Sequence, residues 1–148
     1  MKTFSYLVFL IILSLSAFGN QDHGLKGKYT LYLPNQYGWH HHSITINKVS
    51  TKWIKGVIKL DFSIGPQARV PSPWEIVHSI PFRANYNNKT KKLTFSVKVN
   101  LLRSHKYYFK GYFLNSNDWN RKGFNGIVGS YKINGKEVGG FLAKRKTK

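Results

Sequence analysis

Trp39 is followed by three consecutive histidines, His40, His41 and His42, and then by Ser43, in a chain with 6 histidines in all. On an extended strand alternate side chains point to opposite faces, so His40 and His42 share one face and His41 takes the other. A His-x-His pair on one strand face supplies two of the three protein ligands that a catalytic zinc needs. The local sequence offers no third ligand, and distant His78 or His105 would have to be delivered by the fold. A formal net charge of +19 also opposes a dication. The more economical reading is a polar strand entry that faces solvent. There His40 and His42 modulate the binding of an anion by gaining charge as pH falls toward imidazole's ordinary value of ~6.5. No metal and no cofactor is expected.

Other catalytic constellations are poorly supplied. The chain has only 5 carboxylates, Asp22, Asp61, Glu75, Asp118 and Glu137, and three of them fall in expected turns or termini. Two-carboxylate hydrolysis needs a closely placed pair with separated pKa values. There is no cysteine, no phosphate-cradling Gly-rich Lys-Ser/Thr loop, no HExxH and no G-x-S-x-G. What remains is a ribonuclease-like arrangement in which His42 and His78, with a lysine, act as acid and base near neutral pH. A small secreted hydrolase or nuclease is therefore the alternative function; no catalytic residue is assigned.

Aromatic and basic residues point elsewhere. "NSNDWNRKGFNG" places Trp119 beside Arg121 and Lys122 among turn-forming residues, and Trp39 and Trp74 stand at expected strand entrances. Indoles at loop tips stack on sugars or bases or anchor at a lipid interface, while neighbouring cations bind phosphate or sulfate. Lys55, Lys59, Lys98 and Lys110 fall on the polar side of alternating segments, where they would form a basic belt. With 24 Lys+Arg against 5 Asp+Glu, few acids are present to neutralise them.

The N-terminus bears on compartment. Lys2, an apolar run from Phe4 to Leu15, and the small residues Ala17 and Gly19 have the form of a cleaved secretory signal over residues 1–19. Its removal takes away one cation, Lys2, and leaves residues 20–148 with a charge of +18 rather than +19. No later stretch approaches the ~20 apolar residues of a membrane-spanning helix. The expected product is a single exported domain, periplasmic or extracellular, held together without disulfides. Its field favours anionic partners.

The elements that must position these residues read as β throughout. After Gly24 nearly every segment alternates with period two. Strands are expected at Lys26–Leu33, His40–Lys48, Lys52–Ile64, Trp74–Ser79, Pro81–Tyr86, Lys92–Leu101, Lys106–Leu114, Phe124–Ile133 and Lys136–Lys144. "GPQARVPSP" (65–73) interrupts the pattern as a loop, and "AKRKTK" is expected to be a frayed basic tail. Asn134-Gly135 suits a two-residue type I′ hairpin, which sets Tyr131 opposite Val138 and Lys132 opposite Glu137. Ile54, Ile58 and Leu60, then Leu93, Phe95, Val97, Val99 and Leu101, then Phe109 and Phe113 lie on inward faces with almost no polar atom. Eight or nine such strands imply an all-β, antiparallel, up-and-down barrel, with a β-sandwich as the alternative.

Three stretches resemble avidin-like proteins. "GLKGKYTLYL" is similar to the opening Gly-x-aromatic strand of that family, a feature lipocalins share more loosely. "LTFSVKVNLLRSHKYYFKGYFL" is similar to its fifth and sixth strands, and "INGKEVGGFLAKR" to its seventh hairpin and strand. The resemblance implies an up-and-down barrel. It does not imply biotin binding: positions resembling the stacking tryptophans read Leu101 and Phe141, and Thr30, Leu31 and Tyr32 stand where the polar cluster would be. The resulting expectation is a secreted basic binding protein. It would engage an anionic lipid headgroup or acidic glycan at a membrane or cell surface through Lys/Arg and loop tryptophans, with nucleic acid as a second class of partner.

Overall fold

A computed structural model describes residues 24–33, 42–61, 77–100, 104–115 and 124–146. Eight antiparallel strands close into an up-and-down barrel in sequence order: β1 (Gly27–Tyr32), β2 (His42–Val49), β3 (Trp53–Asp61), β4 (Val77–Asn87), β5 (Lys92–Asn100), β6 (Ser104–Leu114), β7 (Gly126–Ile133) and β8 (Lys136–Arg145), with β8 returning to β1. No helix occurs among the described residues. The period-two alternation has its expected cause. Ile54, Ile58 and Leu60 are buried while Lys55 and Lys59 are exposed, and Leu93, Phe95, Val97 and Val99 are buried while Ser96 and Lys98 are exposed. An apolar interior and a charged exterior are the reverse of what a membrane-spanning barrel requires.

The segments expected as two strands on either side of Ile80 are one strand, β4, that runs through Pro81. The pairing explains why proline is tolerated there. The Tyr86 N–H donates to the Lys52 carbonyl (2.9 Å), so the even-numbered residues of β4 direct their backbone groups at β3 and the odd-numbered ones, Pro81 included, at β5. Toward β5 the ladder consists of three pairs, Asn85 with Thr94, Tyr86 with Leu93 and Asn87 with Lys92. Pro81 thus lacks an N–H only where no ladder bond is made, as on an edge strand. Inside this seam, Phe82 and Phe95 stack at 4.4 Å between ring centroids.

The core is more aromatic and more polar than the alternation alone implies. From Phe95 the rings continue to Phe109 (4.9 Å), and Phe109 meets Tyr131 (5.8 Å) and, edge-on, Phe141 (5.4 Å). Small residues leave room for them. A Cβ on Gly111 would come within 3.0 Å of the Phe141 ring, and one on Gly129 would overlap the Lys110 carbonyl oxygen. Tyr29, Tyr86, Tyr107 and Tyr131 are buried as well. The Tyr29 hydroxyl donates to the Leu25 carbonyl at 2.7 Å, whereas the Tyr131 hydroxyl has no hydrogen-bond partner among the described residues.

Two bulges shift the strand registers, and one of them corrects an expected pairing. Asn134 (φ 51°) and Gly135 (φ 81°) form the tight left-handed turn expected of them. Lys132 also pairs with Glu137, but a register shift follows and Tyr131 faces Gly139 rather than Val138. In β2 the register shifts between Ile46 and Lys48. Strict alternation from His42 would turn Lys48 inward; the extra residue, Asn47, re-aims it outward and lets Val49 pack on the core. The chain end is ordered through Lys146 rather than frayed. The Arg145 guanidinium donates to the carbonyls of Gly24 and Lys26, and the Lys146 N–H donates to the Lys28 carbonyl at 2.9 Å.

Candidate anion-binding face

The up-and-down order sorts the connections onto two ends. The start of β1, the end of β8, and the β2–β3 and β4–β5 turns (50–52 and 88–91) lie at one end, here the terminal end; the Asn134-Gly135 turn lies at the distal end. Exposed cations occur at both. The described carboxylates do not: Asp61, which closes β3, and Glu137, which opens β8, both stand at the distal end. Lys28, Lys48, Lys52, Lys89 and Lys146 are exposed at the terminal end, where no described acid opposes them.

The densest arrangement lies on the outer face of β2, β3 and β4. Lys48 is directly opposite Lys55, and Lys55 is directly opposite Arg83, so three like charges line up across three strands. Trp53, two residues before Lys55, lies beside both of its cations. The Lys55 Nζ is 5.2 Å and the Arg83 guanidinium carbon 5.1 Å from its ring centroid. Like charges placed opposite one another destabilise a sheet. The indole face offsets part of that cost and holds the two cations together. Such a group can present two or three cations to a phosphate, sulfate or carboxylate, with an aromatic edge beside it. Of these residues only Lys55 is among the expected site residues. Arg83 and Trp53 meet Lys55 only through the β3–β4 register, and Lys48 faces outward only because of the Asn47 bulge.

The other expected site residues are dispersed. Lys59, Lys98 and Lys110 are exposed on the outer surface as expected, but they do not join Lys55 in one belt. Lys59 lies opposite Ser43 and Ser79, Lys98 opposite Lys106, and Lys110 opposite Thr94 and Ser130. Trp39, Trp74, Trp119, Arg121, Lys122 and His40 lie outside the described residues. The strand ends flanking 34–41 and 62–76 are at the distal end, and those flanking 116–123 are at the terminal end.

His42 does not face solvent. It is 1% exposed, and its Nδ1 accepts the Asp61 N–H at 2.9 Å. The register explains its burial, because His42 shares the inner face with Ile44 and Ile46 and lies beside Leu31 of β1. His78 is opposite Leu60 on the same inner row, which sets His42 and His78 on either side of β3, roughly 10 Å apart at the backbone. His105 is half-buried near Asn134, at 3.4 Å from its amide. Among the described residues no three His, Asp or Glu side chains converge as metal ligands would.

No family model, no curated protein and no solved structure matches the chain.

Proposed function

We propose that this is an exported binding protein that engages an anionic component of a membrane or cell surface, an acidic lipid headgroup or an acidic glycan. The contact is made through the lysine-rich terminal end and the adjoining Lys48, Lys55, Arg83 and Trp53 cluster. The observation that carries this reading is the alignment of three cations across neighbouring strands with no carboxylate beside them among the described residues. Opposed like charges that the Trp53 face offsets only in part are accounted for by an external anion. Long-range attraction brings the partner in. The Trp53 edge and the paired cations then fix it, with no covalent chemistry.

Attraction of this kind weakens as salt screens it. The chain should be retained by vesicles rich in phosphatidylglycerol, or by heparin, at low ionic strength. Retention should fall steeply between about 50 and 300 mM salt, and vesicles of phosphatidylcholine alone should retain little. Absence of retention on every polyanion at low salt would contradict the proposal, as would turnover of an RNA or phosphodiester substrate that disappears on His78→Gln.

A further inference from the structure

One part of the outer surface breaks the rule that outward faces are polar. Tyr112 of β6, Val128 of β7 and Leu142 of β8 are directly opposite one another in a single cross-strand row and point away from the core. Tyr112, 42% exposed, is one of two large apolar side chains that the described surface leaves open. This row is the floor of a groove of about 940 Å³ whose other walls include Phe124, just before β7, and Lys89 and Lys91 of the β4–β5 turn. The turn is fixed to that edge. The Phe113 N–H donates to the Lys91 carbonyl at 2.9 Å, and the Asn87 side chain accepts the N–H groups of Lys89 and Thr90 at 2.9 and 3.1 Å.

The lining is apolar along its length and cationic at one edge, and none of its described residues is a carboxylate. The Lys91 ammonium donates to the neutral Asn88 amide (3.0 Å), so its charge is not cancelled there. Pockets for small organic ligands run from about 300 to 1,000 Å³, mostly apolar with a few placed polar groups. Tyr112 is exposed and Val128 and Leu142 are half-buried, so the row forms an apolar floor that an acyl chain could cover. We infer that the groove holds the acyl chain of an anionic single-chain amphiphile along Tyr112, Val128 and Leu142, with its carboxylate or phosphate head at Lys89 and Lys91. This site is distinct from the Trp53 cluster and does not depend on it.

Calorimetric titration of the full chain with monomeric decanoate, dodecanoate and tetradecanoate, with dodecyl maltoside as the neutral amphiphile and glycerol 3-phosphate as the head alone, tests this. Affinity should rise by about fourfold for each methylene buried. The neutral amphiphile should bind several-fold more weakly than dodecanoate, and the head alone should not saturate. Val128→Trp, which fills the floor, should abolish the dependence on chain length. Should that variant not fold, Lys89→Gln, in an exposed turn, should narrow the gap between dodecanoate and the maltoside. Affinity independent of chain length, or unchanged in both variants, would overturn the inference. So would tetradecanoate binding that appears only after Trp119→Ala, which would assign the groove to residues 116–123. Tetradecanoate extracted from phosphatidylcholine vesicles as well as bound from solution would place the natural amphiphile in a membrane; binding from solution alone would make it a free acyl anion. Retention by anionic vesicles that survives Val128→Trp leaves the proposed function standing whichever way the groove is decided.

Discussion

The double variant Lys55→Gln/Arg83→Gln should bind anionic vesicles about thirtyfold more weakly than the parent chain while unfolding at a slightly higher temperature. A cation near an anionic membrane surface contributes about 1 kcal/mol, so removing two costs about 2 kcal/mol of binding. The same change relieves the opposition of Lys55 to both Lys48 and Arg83 and should return up to about 1 kcal/mol of stability. The opposite signs make the result diagnostic. A purely structural role for the cluster would lower stability and binding together, and an inert surface would move neither. Lys132→Gln, at the distal end beside Glu137, is the matched control and should change retention by less than about threefold. Vesicle sedimentation and a thermal melt on the same preparations read both quantities.

Alkali should unfold the barrel through its buried tyrosines. Burial pushes the Tyr29 hydroxyl up from 10.0 to about 12, against a smaller opposing pull from Arg145. Burial, and then the neighbouring Tyr107, push Tyr131 up to about 12. Both values lie above those of the unfolded chain, so the folded protein keeps its protons where the unfolded chain has lost them. Their contribution is fully present below pH 10 and is lost as pH rises from 10 to 12. Each group contributes a slope of about 1.4 kcal/mol per pH unit, and the two together remove about 5 kcal/mol across that interval. That is a large fraction of the 5–15 kcal/mol typical of a domain. Comparing a single hydroxyl deletion with its parent isolates the tyrosine contribution. Tyr131→Phe should lessen the slope by about 1.4 kcal/mol per pH unit in urea denaturation series between pH 10 and 12. Because its hydroxyl bonds nothing among the described residues, the variant should also be no less stable than the parent at pH 7. Slopes equal in parent and variant would show that Tyr131 is not protected.

Much of this architecture is legible in the alternation of residue types. Lys55 and Lys59 against Ile54, Ile58 and Leu60, and Lys98 against Val97 and Val99, define inside and outside without further information. Asn134-Gly135 specifies its own turn, because both residues tolerate positive φ. What escapes the sequence depends on one residue of register. Asn47 reverses the facing of Lys48, and a second shift moves Tyr131 from Val138 to Gly139. Proline at position 81 reads as a break, yet it marks a strand whose missing donor faces the short β4–β5 ladder. His42 reads as a solvent-facing residue because imidazole is polar. Its parity with Ile44 and Ile46 carries it inside, and parity along an apolar strand outweighs the character of one side chain.

The candidate site is legible only in its chemistry. A surplus of lysine and the presence of surface aromatics point to an anionic partner. The grouping of Trp53, Lys55 and Arg83 is a tertiary fact, made by the pairing of β3 with β4. Likewise Tyr112, Val128 and Leu142 are ordinary residues of three separate strands until the register sets them in one row.

Anion binding at the terminal end is tested most directly residue by residue. The 15N-labelled chain should be titrated with a short-chain phosphatidylglycerol below its micellar concentration, at low salt, while amide and indole resonances are followed. The Trp53 indole and the amides around Lys55, Arg83 and Lys89 should shift first and most, the shifts should reverse as salt is added, and Asn134 and Glu137 at the distal end should stay in place. Shifts concentrated at the distal end, or spread evenly over every exposed lysine, would contradict binding at the terminal end.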